Sequence, residues 1–342
     1  MTTILQNLSL EAYRGISELS LEGLTSVNLV VGANNSGKSS ILEAAGLLLR
    51  PPDPMQWISA VRHRDFDMSL VDGLWSLFPR GEALHPDDGP SVSEQIAIRA
   101  STTNGARFVE ARCFASQSVG TEAAAVSARV EVMVDGLPAV TMKFPSPGAP
   151  AHQVHVYRVF AVTPATHYST KALVEHLSRV VDEGKKQLAV ELLQVFDAGV
   201  EDLDVIASLG RESIRVTHRT RGVVDLASFG DGMRRSAALA LALTRAYQGV
   251  LLVDEIEAGI HHSVLRPVLA KLLETAATSQ VQILATTHSL EAVDAIIGAM
   301  EDRATPDALS AFWLQRQDNK HEVRRYDFAK LCTLRDGGLD IR

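Results

Sequence analysis

The sequence has little cysteine, no strong positive charge and no long apolar run, and each shortage excludes a class of protein. Cys113 and Cys332 are far apart and match no disulfide framework, zinc or redox spacing, so we expect a reduced, cytoplasmic protein. The apolar run at 237–243 is too short to cross a bilayer, and the N-terminus lacks a signal-peptide pattern, so we expect no membrane association. The formal net charge of -8 argues against bulk nucleic-acid binding, although DNA contact through a local basic patch stays open.

What is present fits a folded core. The chain has 342 residues, of which 46% are hydrophobic and 22% charged, and this length allows one large domain or two modest ones. The apolar stretch VNLVV (27–31) is typical of a strand buried on both faces, and a helix is predicted after it at 39–49. From 249 onward, apolar strands alternate with helices, which predicts a parallel sheet. A hairpin is predicted at 311–326.

The middle of the chain has a different pattern. Scattered Pro and Gly at 55–92 predict loops with short helices, and residues 93–162 alternate as β-strands around Asn104-Gly105 and Asp135-Gly136 turns. Leu and Val recur every three or four positions over 170–208, which predicts helix. The predicted organisation is therefore a core lobe (1–50 and 236–342), an inserted β-rich arm (51–165) and a helical lobe (166–235).

Residues 32–40, GANNSGKSS, carry the clearest chemical signal. They fit the phosphate-loop pattern G-x-x-x-x-G-K-[ST], between a predicted strand and a predicted helix. Glycines let backbone N–H groups point at phosphate, lysine reaches the β- and γ-phosphates, and the serine hydroxyl ligates Mg²⁺. The predicted nucleotide-binding residues of this loop are Gly32, Asn34, Asn35, Ser36, Gly37, Lys38, Ser39 and Ser40.

Two further apolar strands end in polar residues that suit a nucleotide site. After LLV (251–253), Asp254 is predicted to hold Mg²⁺ with Ser39, and Glu255 to polarise the attacking water. His288 follows the strand at 281–287, at the sheet edge where parallel sheets bind ligands. An acidic turn at a strand end and a structural histidine are the competing interpretations, and the neighbouring phosphate loop favours the catalytic ones.

The segment SFGDGMRR (228–235) precedes an apolar helix. Ser228, Gly230 and Gly232 can present hydroxyl and N–H donors to an anion at the helix start, with positive charge from Arg234 and Arg235. A capped turn before a core helix is the alternative for this segment in isolation.

Four elements follow one another along the chain: the phosphate loop at 32–40, the segment 228–235, the carboxylates at 254–255 and the histidine at 288. In this order they resemble the ATP-binding-cassette (ABC) class of ATPases, in the branch that contains RecF, the SMC proteins and the OLD (overcoming lysogenisation defect) family. The chain is most similar to the stand-alone, AAA-type members of the OLD-like group, over roughly residues 1–50 and 225–342. The resemblance implies an α/β P-loop NTPase fold of ABC type, with a mainly parallel sheet flanked by helices and with an antiparallel β arm and a helical lobe inserted. It also implies ATP and Mg²⁺ as cofactors.

In this resemblance the segment at 228–235 is the signature loop. The resemblance further implies a head-to-tail homodimer that holds ATP between one chain's phosphate loop and the other's signature loop. Carried over by position, Ser228 and Gly230 contact the partner's γ-phosphate, Glu255 is the general base and His288 the switch. Residues 258–261 form the D-loop, and Arg14, in AYRG, approaches the nucleotide. The signature differs from the transporter's Leu-Ser-Gly-Gly-Gln, and the end of VYRVFAVTP (156–164) is only a candidate Q-loop.

The predicted function is an ATP-hydrolysing switch that dimerises on ATP and regulates a separate effector in bacterial anti-phage defence or a DNA transaction. One alternative is a scaffold that binds ATP without hydrolysing it and docks a partner protein. Another is the nucleotide-binding subunit of a transporter, which the signature, the β arm and the acidic total argue against. The segment after His288 is too short for the nuclease domain of full OLD proteins, so we expect none in this chain.

Overall fold

The fold is that of a computed structural model, which describes residues 3–62, 69–79, 91–118, 125–145, 154–208, 211–303, 305–317 and 320–341. The described strands, in chain order, are β1 (Leu5–Tyr13), β2 (Ile16–Glu22), β3 (Val27–Val31), β4 (Ser91–Val92), β5 (Ile96–Thr102), β6 (Gly105–Ser118), β7 (Ala125–Val134), β8 (Leu137–Phe144), β9 (Val159–Val162), β10 (Val200–Ser208), β11 (Arg211–His218), β12 (Gly222–Asp225), β13 (Val250–Val253), β14 (Gln282–Thr287), β15 (Leu309–Gln317) and β16 (Lys320–Asp327). The described helices are α1 (Lys38–Leu49), α2 (Pro54–Arg62), α3 (Leu70–Trp75), α4 (Thr170–Asp182), α5 (Lys186–Phe196), α6 (Asp231–Arg245), α7 (His262–Thr278), α8 (Leu290–Asp302) and α9 (Phe328–Asp336).

A six-stranded sheet in the order β16-β15-β3-β14-β13-β9 positions the site. Five of its strands are parallel, and only β16 runs antiparallel, as the return strand of the predicted C-terminal hairpin. All residues of β3 and β13 are buried, as their continuous apolar sequences predict. The polar residues that follow β3, β13 and β14 therefore meet at one edge of the sheet. This confirms the predicted fold class.

Hydrophobic packing covers both faces of this sheet. In β3, Leu29 packs into a core with helices α4 to α8, and Val30 packs into a second core with α1 to α3 and the antiparallel strands. Successive side chains of a strand point to opposite faces, so one strand serves both cores. Among the described helices, none combines the length and the apolar character that crossing a bilayer requires.

The antiparallel sheet has the order β2-β1-β5-β6-β7-β8, with β4 added beside β6. The turns predicted at Asn104-Gly105 and Asp135-Gly136 connect β5 to β6 and β7 to β8. Asp135 and Gly136 have φ of 54° and 80°, which two-residue hairpin turns of the primed type require. Because β5 pairs with β1, the β-rich segment extends the N-terminal sheet directly.

The structure differs from the sequence-based expectation at two places. The helix predicted over 170–208 ends at Phe196, because residues 200–208 form β10 of a three-stranded sheet, β10-β11-β12, within the segment predicted as a helical lobe. A register shift between Val200 and Asp202 interrupts the period of two that would have identified a strand. In addition, β9 was assigned to the arm but pairs with β13 in the parallel sheet. The helices α2 and α3 fall where short helices were predicted, and the intervening 63–68 and the following 80–90 lie outside the described residues.

A buried glutamine at the start of β14 joins the parallel sheet to the antiparallel sheet that contains β1. Gln282 is 1% exposed, its Oε1 accepts from the Leu5 backbone N–H at 2.8 Å, and its Nε2 donates to the carbonyls of Leu5 and Thr25 at 2.8 and 2.7 Å. One side chain of β14 thus bonds to three backbone groups, two in β1 and one in the turn before β3.

We predict that Gln282→Ala lowers the free energy of unfolding by about 2–4 kcal/mol, because it leaves buried backbone groups without partners. Chemical denaturation measures this change. Gln6→Ala, an exposed glutamine in β1 beside Leu5, is the matched control and should change stability by about 0.5 kcal/mol or less. Equal losses in the two variants would contradict a joining role for Gln282.

Candidate functional site: a phosphate loop at the edge of the parallel sheet

The phosphate loop runs from the end of β3 to the start of α1. Gly32 and Gly37 have φ of 147° and 100°, in the region that favours glycine. A side chain at Gly32 would also place its Cβ 2.2 Å from the carbonyl oxygen of Leu314 in β15. Glycine at position 32 is therefore required both by the turn and by the close approach of β15.

The remaining loop residues line a polar cavity of about 390 Å³. Asn34 and Asn35 are exposed, and Ser36 and Ser40 are buried. The buried Ser36 hydroxyl has no hydrogen-bond partner among the described residues. Ser40 lies in the first turn of α1, where backbone N–H groups and the helix dipole attract anions. The predicted loop residues that line the cavity are Asn34, Asn35, Ser36, Gly37, Lys38, Ser39 and Ser40.

Lys38 is held by its own loop. Its ammonium group donates to the carbonyls of Gly32 and Ala33 at 2.7 and 2.9 Å. Burial lowers the pKa of Lys38, and the carboxylates of Asp254 and Glu255 oppose that shift. An anionic ligand in the cavity would offset this cost of burial, because it would place negative charge beside the Lys38 ammonium group in place of the neutral carbonyls.

A hydroxyl–carboxylate cluster connects α1 to the ends of β13 and β14. The Ser39 hydroxyl donates to the Asp254 carboxylate at 2.9 Å, and the Thr286 hydroxyl donates to the same carboxylate at 2.5 Å. Asp254 is only 6% exposed. These hard oxygen donors fit Mg²⁺, which prefers oxygen ligands and shares them with phosphate. Ser39 and Asp254, the two residues predicted to hold the ion, thus lie in hydrogen-bond contact, and their binding of Mg²⁺ stays a prediction.

Glu255 projects into the cavity from a constrained backbone. Its φ is 49°, uncommon for a residue other than glycine, and its N–H donates to the Thr286 hydroxyl at 2.9 Å. The side chain is 41% exposed and lines the cavity with Lys38. A carboxylate in this position can accept a proton from water beside the terminal phosphate.

His288 lies near two carboxylates. Its Nδ1 is 4.0 Å from the Glu255 carboxylate and 3.4 Å from that of Glu257, whose Oε1 also accepts from the His288 backbone N–H at 3.2 Å. His288 is not among the described residues that line the phosphate-loop cavity. Glu257 was not singled out from the sequence, because it lies in the turn after the strand with no motif of its own. The switch role of His288 remains a prediction.

Arg14 borders the cavity, but its guanidinium is occupied. It donates to the Glu43 carboxylate at 2.7 Å and to the carbonyls of Ala60 and Ser76 at 3.1 and 3.2 Å. The Tyr13 hydroxyl donates to the same carboxylate at 3.0 Å. Arg14 therefore ties α1, α2 and the end of α3 to the turn between β1 and β2. Nucleotide contact by this residue stays a prediction.

The signature loop lies against the D-loop of its own chain. Gly230 is the N-cap of α6, and the Ser228 hydroxyl donates to the Asp225 carbonyl at 2.6 Å. A Cβ on Gly232 would lie 3.1 Å from the Gly259 carbonyl oxygen, in the turn between β13 and α7. Ser228 and Gly230 are exposed, and the described lining of the phosphate-loop cavity includes neither of them nor Gly232.

Arg235 has a different role from the one its sequence position indicates. We expected its charge to face an anion, but the side chain is fully buried. Its guanidinium donates to the carbonyls of Asp254 and Glu255 at 2.9 and 3.1 Å and to the carbonyl of Thr163. Burial lowers its pKa to about 10, so the group stays charged at neutral pH. Arg235 thus connects α6 to the backbone of Asp254 and Glu255, the carboxylates predicted to bind magnesium and to act as the base.

Two residues of the C-terminal hairpin, Arg316 and His321, also line the phosphate-loop cavity. The sequence predicts the hairpin but carries no motif at these positions, and only the order of strands in the sheet brings them to the loop. A larger cavity, about 460 Å³, is lined by residues of α1, α2, β9 and α4. Its walls are mainly apolar, and Asp254 lines both cavities.

Parts of the chain match known protein families. Residues 148–294 match the family described as "AAA domain, putative AbiEii toxin, Type IV TA system", and residues 3–69 match one described as "Protein of unknown function (DUF2813)". A segment of 46 residues is 46% identical to an uncharacterized protein, MJECL10, of Methanocaldococcus jannaschii. That match covers 14% of this chain and 21% of the relative.

Solved SMC heads share the fold. An Smc head bound to the C-terminal winged-helix domain of ScpA is 14% identical with a TM-score of 0.57, and the match covers 97% of this chain and 100% of that one. An Smc head with an extended coiled coil, bound to the C-terminal domain of ScpA derived from Pyrococcus furiosus, is 13% identical with a TM-score of 0.54, covering 98% and 99%. The AAA-domain match over residues 148–294 and the fold shared with SMC heads agree with the resemblance to ABC/AAA-type ATPases. They support an ATP-binding domain of ABC/AAA type.

The position of Arg235 generates a testable prediction. A lysine ammonium cannot reproduce the planar fork that reaches carbonyls from two segments, so Arg235→Lys should misplace the Glu255 backbone. We expect ATP turnover to fall about tenfold to a hundredfold, the scale of small misplacements of catalytic groups, while ATP affinity changes little.

Steady-state turnover and calorimetric ATP binding separate these two effects. Arg245→Lys, near the other end of the same helix, is the matched control for a general loss of helix packing. Wild-type turnover in a folded Arg235→Lys protein would show that the three carbonyl contacts do not position the site.

Proposed function

We propose that the protein binds and hydrolyses ATP as a switch, forming a homodimer in which ATP lies between the phosphate loop of one copy and the signature loop of the other. The observation that carries this proposal is the Ser39–Asp254 hydrogen bond, which brings the phosphate loop and the end of β13 to one polar cavity. A hydroxyl and a carboxylate in contact at a helix N-terminus suit a nucleotide triphosphate with Mg²⁺.

The side chains divide the reaction between them. Lys38 and the N–H groups of the loop bind phosphate oxygens, and Ser39 and Asp254 hold Mg²⁺, which when bound neutralises phosphate charge. Glu255 accepts the proton of the attacking water. His288, whose ring is 4.0 Å from the Glu255 carboxylate, is in reach of this proton acceptor and acts as the switch.

Exposure of the signature loop supports the dimer. Ser228 and Gly230 are exposed in the single chain, on a helix start that leaves backbone N–H groups available to an anion. They do not contribute to the described lining of their own chain's phosphate cavity. A second copy can bring these donors to the γ-phosphate across an interface, which makes dimerisation dependent on ATP.

The output of such a switch is a change in which surfaces are available to a separate effector. We propose that the effector acts in bacterial anti-phage defence or in a DNA transaction, in the cytoplasm. Support comes from the matching family, which is described as a putative toxin of a toxin–antitoxin system, and from an SMC head that was solved bound to a domain of ScpA.

The first test concerns the general base. Glu255→Gln keeps the size of the side chain but cannot accept a proton, so ATP–Mg²⁺ should still bind while hydrolysis falls about a hundredfold or more. Release of phosphate under saturating ATP measures turnover, and calorimetry measures binding.

Glu274→Gln, an exposed carboxylate on α7, is the control for loss of charge, and Glu257→Gln tests the competing carboxylate near His288. A normal rate of hydrolysis in Glu255→Gln, with a large loss in Glu257→Gln, would show that Glu257 and not Glu255 is the general base. Wild-type protein that binds ATP but releases no phosphate would instead support a non-hydrolysing scaffold.

The second test concerns the shared site. Lys38→Ala and Ser228→Arg should each abolish hydrolysis, the first by removing a phosphate ligand and the second by filling the signature loop with a large side chain. After subunit exchange, a mixed dimer has one site with both defects and one with neither. We expect recovery of up to about a quarter of wild-type activity, since half of the dimers are mixed and half of their sites intact.

Mixing each variant with itself is the control for protein concentration. A site completed within one chain leaves a defect in every site, so no activity returns. Failure of recovery, together with a Glu255→Gln protein that stays monomeric with ATP in sedimentation, would contradict the dimer.

A further inference from the structure

The C-terminal hairpin extends beyond the edge of the parallel sheet. Strand β15 pairs in parallel with β3 up to Trp313 opposite Val31, the last residue before the phosphate loop. It then continues for four residues to Gln317, while β3 turns into Gly32. The tip of β15 and the start of β16 therefore lie beside the phosphate loop.

Contact between the hairpin and the loop is close at both loop glycines. The Leu314 carbonyl oxygen is 2.2 Å from the position of a Cβ on Gly32, and the His321 Nε2 is 3.6 Å from the position of a Cβ on Gly37. Arg316 and His321 are cross-strand partners, one on each strand of the tip. Both line the cavity that also contains Lys38 and Ser39.

His321 has an unused polar group in this setting. Its Nδ1 is buried and has no hydrogen-bond partner among the residues that the structure describes. Burial and the neighbouring Arg316 lower the pKa of His321, so the imidazole is neutral near pH 7. A neutral imidazole carries one donor and one acceptor nitrogen, and a buried polar group without a partner is costly unless a ligand completes it.

The charges around the cavity suit a polyphosphate. Arg316 adds a guanidinium to the Lys38 ammonium in the lining of the cavity, which also includes the carboxylates of Asp254 and Glu255. A guanidinium is well suited to phosphate because it offers several donors in one plane.

We propose that the end of β15 and the start of β16 form a second wall of the nucleotide site, with Arg316 and His321 as ligand-contacting residues. Arg316 binds the phosphate chain, and His321 donates a hydrogen bond to the bound nucleotide or accepts one from it. This inference rests on the proposed function, since it assigns further residues to the same ATP site. It also gives the hairpin a way to report nucleotide binding to β16 and α9.

The test is direct nucleotide binding in the Glu255→Gln background, which removes hydrolysis from the measurement. Calorimetry gives the Kd for ATP–Mg²⁺ in the parent protein and in variants that add Arg316→Ala or His321→Ala. We expect Arg316→Ala to raise the Kd about tenfold and His321→Ala about threefold to tenfold, typical of lost hydrogen bonds to a charged ligand.

Two controls separate contact from packing and charge. Arg324→Ala removes one positive charge from the same hairpin at a side chain that is 58% exposed and paired with Glu322, and its Kd should stay within about twofold of the parent. His321→Phe keeps a ring against Gly37 but no polar nitrogen, so it should match His321→Ala in Kd while retaining the parent's thermal stability.

The outcomes distinguish the inference from the function on which it rests. Lys38→Ala should lose ATP binding, and if the parent binds no ATP, the proposed function fails and the inference with it. If the parent binds ATP, Lys38→Ala does not, and Arg316→Ala and His321→Ala bind like the parent, only the hairpin proposal is overturned. A weaker Kd in Arg324→Ala equal to that in Arg316→Ala would also overturn it, since the effect would then be general charge.

Discussion

The hydrogen bonds that join Ser39, Asp254 and Thr286 are the constraint on which the rest of the site depends. The three residues come from α1, the end of β13 and the end of β14, so the cluster forms only when the parallel strands lie in register. Thr286 has two functions, since its hydroxyl donates to Asp254 and accepts from the Glu255 N–H. Displacement of any one strand would therefore disturb the Ser39–Asp254 pair, proposed to hold Mg²⁺, together with the backbone of Glu255, the proposed base. The packing of the sheet thus also sets the geometry of the proposed site.

Arg235 extends this constraint to the signature loop. A fully buried guanidinium is costly to desolvate, and its bonds to three carbonyls offset that cost. Because those carbonyls belong to Asp254, Glu255 and Thr163, α6 cannot shift without moving or stretching the bonds to the β13 edge. In the proposed dimer, α6 would contact the partner's nucleotide, and Arg235 connects this helix to the backbone of Glu255, the proposed general base of its own chain. Such a connection is what a switch between two half-sites requires.

The parts of the site that could be predicted from sequence are those where chemistry restricts the residue locally. Gly32 and Lys38 belong to a loop whose backbone and phosphate contacts need these residue types, and Asp254 follows a strand whose apolar sequence identifies it. Residues that act across the fold gave no such signal. Arg235 is next to Arg234 in sequence and could not be distinguished from it, because only packing makes one buried and the other partly exposed. For β10, a register irregularity removed the alternation that strand prediction depends on.

The distribution of exposure over the site has a further consequence for how it would operate. Asp254 is nearly buried and bonded to Ser39, and Lys38 is held by its own loop, so contacts within one chain fix the phosphate-loop half of the proposed shared site. Ser228 and Gly230 are exposed, and the lone chain leaves their helix N-terminus facing solvent. A ligand with a long negative chain would bind first to the prepared half and then supply the charge that attracts the second helix terminus. Hydrolysis that removes the γ-phosphate would weaken that second contact far more than the first, which favours separation of the two copies while the diphosphate remains bound.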